Sequence, residues 1–265
     1  MGSTAKPKWL LVDVSAWAHP DLHAAGPGAA SLMNFARRLT LCREQLRPER
    51  VVLCFDSKTC FRSSIDPMYK ATRKESPVGL SELIAGIRSH AREYEIDVAH
   101  CEGFEADDCM ATLCGIALDQ GMRVILASRD KDLRQLLIGG AVNMLLSASY
   151  GKYSPNFEYY TAADLYEREG LRPDQWVEYQ MLVGDTADNI PGCLDIGEVN
   201  AKEILRACST LDRFKIHSFD AKITDSRRVK VLNYLKSDEA ARMRKLVTLR
   251  RDVPLPGYWF EEAVA

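Results

Sequence analysis

The feature that most constrains this chain is a repeated sequence of short apolar runs and longer helical-pattern stretches. Residues 9–14 (WLLVDV), 51–55 (VVLCF), 96–99 and 123–127 (RVILA) are too short for buried helices and rich in β-branched and aliphatic residues, so they read as strands. Between them, residues 29–46 carry a stripe of Leu32, Phe35, Ala36, Leu39 and Cys42, and residues 80–94 one of Leu83, Ile84, Ile87 and Ala91, each at helical spacing. Residues 108–119 read as a third helix, and 142–146 as a fifth strand. Alternation of this kind predicts an α/β fold with a mainly parallel sheet over about the first 150 residues.

Each of the first four strands ends in acid: Asp13, Asp56, then Glu105, Asp107 and Asp108, then Asp130 and Asp132. A single acid after a strand ordinarily serves as a turn or helix-cap residue. Four successive strands delivering acid to the same edge is a different matter, because ligands of open parallel sheets bind beyond the carboxyl ends of the strands. Acids this close repel one another unless a cation sits among them, and a hard divalent ion is the usual partner of carboxylates. Asp130 and Asp132, two apart, would point the same way on an extended segment. Asp185 and Asp188, three apart, would share a face on a helical turn.

After Gly151 the texture changes. Residues 153–160 read as a strand or extended segment, and Thr161 as the cap of a helix. Pro173 opens a helix to residue 183. A turn-rich GDTADNIPG follows, then a helix over 197–208 and further helical, partly basic sequence to about residue 249. The last residues, PLPGYWFEEAVA, read as extended. Directly after Asp56 lies a basic segment with Lys58, Arg62, Tyr69, Lys70, Arg73 and Lys74, whose cations suit phosphate and whose Tyr69 suits stacking on a base. Gly192 and Gly197, ahead of a helix carrying Lys202, allow close approach of backbone N–H groups to a phosphate.

Composition narrows the remaining classes. Of 265 residues 46% are hydrophobic and 27% charged, ordinary for a globular protein. No apolar run reaches the ~20 residues of a membrane helix. The amino terminus lacks a signal-peptide plan, so a cytoplasmic protein of a bacterial or phage-infected cell, with no membrane partner, is expected. Eight cysteines include no C-x-x-C and sit mostly in apolar runs, as buried thiols do. The net charge of −2 neither requires nor excludes nucleic acid, since acids around a metal offset a basic face in the sum. Acids able to hold two divalent ions about 4 Å apart suit hydrolysis of a phosphodiester.

Together these motifs resemble the 5′-nuclease family: the 5′→3′ exonuclease domain of bacterial DNA polymerase I, phage 5′-exonucleases and flap endonucleases. The resemblance runs from about residue 9 to 235 and rests on LVDVS (11–15), FDSKTCFR (55–62), YKATR (69–73), GFEADD (103–108), SRDKDLRQL (128–136) and GDTADNIPG with its following IGE (184–192, 196–198). It implies a PIN-like nuclease core over residues 1–160, with an arch at about 62–95. A helical DNA-binding module follows over 161–265, with a helix–three-turn–helix at about 184–208.

The resemblance assigns one metal group to Asp13, Asp56, Glu105, Asp107, Asp108 and Asp130, and a second to Asp132, Asp185 and Asp188. It makes Asp107 and Asp130 central to catalysis, Lys70 and Arg73 steering groups for the scissile phosphate, and Tyr69 a stacking residue. Arg62, Gly192, Gly197 and Lys202 complete the implied DNA contacts. Two Mg²⁺ or Mn²⁺ ions, K⁺ at the glycine turn, and DNA with a 5′ end or flap are implied, as are RNA-primed ends, a monomeric state and coupling to a separate polymerase. The rival readings are a branched-DNA-binding module without catalysis, a ribonuclease acting on primers in hybrids, and a carboxylate-rich phosphatase acting on small molecules. Departures from the family pattern are Val14-Ser15-Ala16 for Gly-Ser-Ser, His19-Pro20 where an Arg is usual, Leu194-Asp195 for Pro-Gly, and Val199 for Lys.

Overall fold

A computed structural model describes residues 7–255; the extended reading of the tail falls mostly on 256–265, outside them. The described chain forms two compact units. The first comprises 7–60, 75–161 and 250–255, the second Phe61–Lys74 and Ala162–Leu249. One boundary between the units falls after Thr161. Segment 61–74 departs from expectation by belonging to the second unit, and residues from Arg250 onward by belonging to the first.

The first unit is built on a six-stranded sheet. Its strands are β1 (Lys8–Asp13), β2 (Arg50–Cys54), β3 (Asp97–Ala99), β4 (Arg123–Ala127), β5 (Val142–Tyr150) and β6 (Pro155–Tyr160). The order is β3-β2-β1-β4-β5-β6. The first five pair in parallel and β6 runs antiparallel on β5, with a register irregularity between Leu145 and Ser147. The sheet is therefore mainly parallel, as predicted, and β5 is longer than the apolar run alone suggests.

Alternate residues of each strand face opposite sides. Leu10 and Val12 of β1, with Leu53, Ile125 and Ala127, pack against three helices: α1 (Val14–Ala25), α2 (Ala29–Leu46) and, beyond the five-residue α3 (Phe61–Ile65) of the second unit, α4 (Leu80–Glu93). Helix α4 contributes buried Leu80, Leu83, Ile87 and Ala91, so the latter half of the expected arch is a core helix of the sheet face. The other face is covered by α5 (Ala106–Asp119), which packs on β1, β2 and β4 and buries Met110, Leu113 and Ala117.

Helix α1 has no counterpart in the sequence reading, because Pro20 inside it and the acid before it look like a loop. It forms because Asp13 caps it, accepting from the Ala16 N–H at 2.9 Å, and because Val14, Trp17, Ala18 and Leu22 recur on its buried side.

The second unit is helical: α6 (Ala162–Glu169), a 3₁₀ turn at Pro173–Gln175 running into α7 (Trp176–Val183), then α8 (Glu198–Cys208), α9 (Leu211–His217), α10 (Asp225–Tyr234) and α11 (Asp238–Val247). Thr210, Thr224 and Ser237 cap the last three by accepting a backbone N–H three residues on. Among the described residues no helix is long and apolar enough to cross a membrane.

Candidate metal centre

The strand order reverses between β1 and β4, and crevices form at the carboxyl ends of strands where a parallel sheet switches direction. Asp13, the last residue of β1, lies at this point and is 6% exposed. Its Oδ1 accepts from Ala16 N–H, and its Oδ2 accepts from the Ser128 hydroxyl at 2.8 Å, just past β4. The same Ser128 oxygen accepts from the Asp130 N–H at 3.0 Å. Asp56, just past β2, takes the Ser15 hydroxyl at 2.6 Å on Oδ2 and the Ala106 N–H at 2.9 Å on Oδ1. Ser15 and Ser128 thus orient the acids. Sequence reasoning did not single them out, although both stand within two residues of an acid in LVDVS and SRDKD.

Asp107 lies in the first turn of α5, where the helix N-terminus favours negative charge. Its Oδ1 is shielded from solvent and accepts no hydrogen bond among the described residues. A buried carboxylate oxygen left in this state is costly in the absence of a cation. Burial, reinforced by the charges of Asp130, Asp13, Asp132 and Asp56, holds the Asp107 carboxyl well above the usual carboxylate range. Burial and the neighbouring Asp56 charge, with a smaller push from Asp130, raise Asp13 to about 7 despite its hydrogen bonds from Ala16 and Ser128. The charges that weigh on both groups are other carboxylates. The structure therefore brings Asp13, Asp56, Asp107, Asp130 and Asp132 into one electrostatic set, and that donor set fits a hard divalent cation.

Several expected site residues take other places. Asp108 is fully buried, and its carboxylate accepts the Arg250 N–H at 2.8 Å on Oδ1 and the Glu105 N–H at 3.3 Å on Oδ2. It caps α5 from within. Glu105 is the residue preceding that helix. Asp130 and Asp132 are not on an extended segment: Asp130 caps a 3₁₀ helix, Lys131–Leu136, by accepting the Asp132 N–H at 2.8 Å.

In the second unit Asp185 and Asp188 lie on a tight turn, not a helical one, closed by the Asp185–Ile190 backbone pair. A carboxylate oxygen of each lies within 4.8 Å of the other. Asp188, 5% exposed, is met by cations: Arg73 donates to Oδ1 from Nη2 at 2.5 Å and Nε at 3.2 Å, and Lys70 Nζ stands 3.8 Å from Oδ2.

Tyr69, expected to stack on substrate, is 7% exposed and aims its hydroxyl at Asp188 Oδ2, 3.4 Å away. Arg62, expected to touch DNA, is 2% exposed and donates to the carbonyls of Leu246 at 2.8 Å and Thr248 at 3.2 Å, fastening segment 61–74 to the end of α11. Lys202, also an expected phosphate contact, pairs with Glu169 at 2.7 Å and Glu198 at 3.4 Å. Gly192 is required by packing: a Cβ there would lie 2.4 Å from the Leu182 carbonyl oxygen and 2.6 Å from the Gly184 nitrogen. Gly197 is exposed, with open space around it. Asp195, at φ 62°, pairs with Lys230 of α10, so the acid in the glycine turn carries its own counter-charge.

A parallel sheet with acids gathered at its switch point offers a carboxylate donor set able to hold a divalent cation. The chain belongs to the 5′-3′ exonuclease family: residues 8–170 match its N-terminal resolvase-like domain and residues 171–262 its C-terminal SAM fold. A 5′-3′ exonuclease of Bacillus subtilis is 32% identical over 194 residues, 72% of this chain and 64% of that protein. DNA polymerase I of the same organism is 31% identical over 260 residues, 95% of this chain but 29% of that protein. The chain thus spans under a third of the polymerase relatives it matches. A solved structure of T5 5′-exonuclease with bound divalent metal ions (zinc) shares the fold at a TM-score of 0.72 and 20% identity, covering 91% of this chain and 89% of that one.

Proposed function

We propose that this protein is a divalent-metal-dependent 5′→3′ exonuclease and 5′-flap endonuclease that hydrolyses phosphodiester bonds of DNA, serving primer removal or repair alongside a DNA polymerase. The observation that carries the reading is the set of mutually repelling acids at the switch point, with its shielded and unpartnered Asp107 oxygen, in a member of the 5′-3′ exonuclease family.

In this reading Asp13, Asp56, Asp107 and Asp130 hold the cations. Asp132 extends the same set, and Asp185 lies with Asp188 on a turn of the second unit. Mg²⁺ or Mn²⁺ held there would activate water and neutralise the leaving oxygen. Ser15 and Ser128 fix the carboxylates so that little reorganisation accompanies reaction. Lys70 and Arg73 orient and neutralise the scissile phosphate. Support for flap substrates comes from relatives: one matched structure is of a T5 flap endonuclease in a pseudo-enzyme-product complex with DNA and metal ions. The glycine turn before α8 is the proposed grip on the duplex backbone, with K⁺ as its cation.

The test is cleavage of a labelled 5′-flap duplex, a 5′-recessed duplex and an RNA-primed duplex in Mg²⁺, Mn²⁺ and EDTA. Metal-dependent release of short 5′ products from the DNA substrates is expected. Binding without cleavage in both metals would overturn the reading in favour of a branched-DNA-binding module, and cleavage confined to the RNA-primed substrate in favour of a ribonuclease.

A further inference from the structure

The acids stand at the carboxyl ends of the strands; the amino ends of β1 and β4 carry cations. On the sheet face that meets α2, four adjacent strands each place a polar residue at the same end: Lys8 of β1, Arg123 of β4, Asn143 of β5 and Tyr159 of β6. The register sets all four on one face. Lys8 pairs with Arg123, one step along that face from the core pair Leu10 and Ile125. Ile125 in turn pairs with Asn143, and the core residue Leu145 with Tyr159. With Gln45 and Leu46 from the end of α2, these residues line a cavity of about 230 Å³ that no carboxylate faces. Among the described residues, the side chains of Lys8, Gln45, Asn143 and Tyr159 make no hydrogen bond or ion pair with the rest of the chain. Arg123 keeps its Nε shielded from solvent.

We propose that this cavity binds a phosphate group, free or as the end of a small ester. Like charges directly opposite each other on neighbouring strands repel, and an anion between Lys8 and Arg123 turns that repulsion into attraction on both sides. A guanidinium offers phosphate a fork of parallel donors and an ammonium offers a point charge. The Asn143 and Gln45 amides and the Tyr159 hydroxyl add neutral donors around the same space. The volume lies below the ~300 Å³ at which sites for drug-sized ligands begin, so the occupant is small. The site is separate from the metal centre: Lys8 opens β1 and Asp13 closes it, and that length of strand spans ~17 Å.

The test is calorimetric titration of the full chain in EDTA with inorganic phosphate and, separately, with deoxyadenosine 5′-monophosphate. Saturable one-to-one binding of at least one of the two is expected. Equal affinities would identify free phosphate as the occupant. Tighter binding of the nucleotide, with the difference lost in Tyr159→Ala, would identify an ester whose base meets that ring. Lys8→Gln is expected to weaken binding about tenfold, as loss of one charged hydrogen bond does. Asn143→Asp keeps the size of the side chain but puts a carboxylate into the cavity, and is expected to abolish binding; it provides the reading should substitution of either cation disturb the fold. Flap cleavage by Lys8→Gln is expected to match the wild type. Failure of both anions to bind at millimolar concentration, or binding that Lys8→Gln and Asn143→Asp leave intact, would overturn the inference. Neither result bears on the nuclease reading, which the cleavage assay tests by itself.

Discussion

The two units treat their acids in opposite ways. At the sheet edge of the first, the charges acting most on Asp13 and Asp107 are other carboxylates, and both groups are driven upward in pKa. In the second, Asp188 meets Lys70 and Arg73, and Asp195 meets Lys230. Acids whose strongest neighbouring charges are other carboxylates suit an ion from outside, whereas acids paired with protein cations order the chain around them. The same side-chain type thus does two jobs, and its nearest charged neighbours tell which.

The sharpest way to break this contrast is to neutralise one acid of the first set. Asp107→Asn is expected to cut flap cleavage by about 10³-fold or more while DNA affinity in a non-reactive metal stays within a few-fold; normal turnover would remove Asp107 from the centre. Ser128→Ala, which takes a hydrogen bond from Asp13 and another from Asp130, is expected to weaken Mn²⁺ binding by about 10–100-fold, read by calorimetry.

In the second unit the expected effects are on stability. Arg62→Ala strips the buried Leu246 carbonyl and the partly buried Thr248 carbonyl of a charged donor and is expected to cost about 3 kcal/mol, seen as a lower unfolding midpoint. A DNA-contact role would instead weaken binding and leave the midpoint alone. The smallest test compares two glycines. Gly192→Ala forces a Cβ against the Leu182 and Gly184 backbone and should cost about 1–3 kcal/mol, whereas Gly197→Ala enters open space and should alter only duplex binding.

The sheet and the acid edge were legible because each strand is a compact apolar run and each acid follows its own strand before the next helix is under way. Helix α2 was legible to its bounds from its stripe. What escaped depends on partners far along the chain. Arg62 and Tyr69 look like surface cation and aromatic in a polar segment, and only the α11 carbonyls and Asp188 turn them inward. Asp108 sits in the same acidic run as Asp107, but the Arg250 N–H, 142 residues away, claims its carboxylate. The spacing of Asp130 and Asp132 was read for an extended chain, and a local cap bends it into a 3₁₀ turn instead. Spacing reveals which residues can share a face; it carries no information about a backbone donor brought in from elsewhere.

The central claim is that the sheet-edge acids are built around a cation, and the most direct measurement is the unfolding midpoint from pH 4 to 8 in EDTA and in Mg²⁺. For Asp13 the folded value of about 7 lies above the unfolded 3.8, so its contribution to stability is present below 3.8 and is lost as pH rises through about 7; Asp107 shifts in the same direction. A cation that binds the ionised set restores the loss by mass action. The account predicts that the midpoint gained from Mg²⁺ grows steadily across that window and shrinks sharply in Asp107→Asn. A gain that is absent, independent of pH, or unchanged in Asp107→Asn would contradict it.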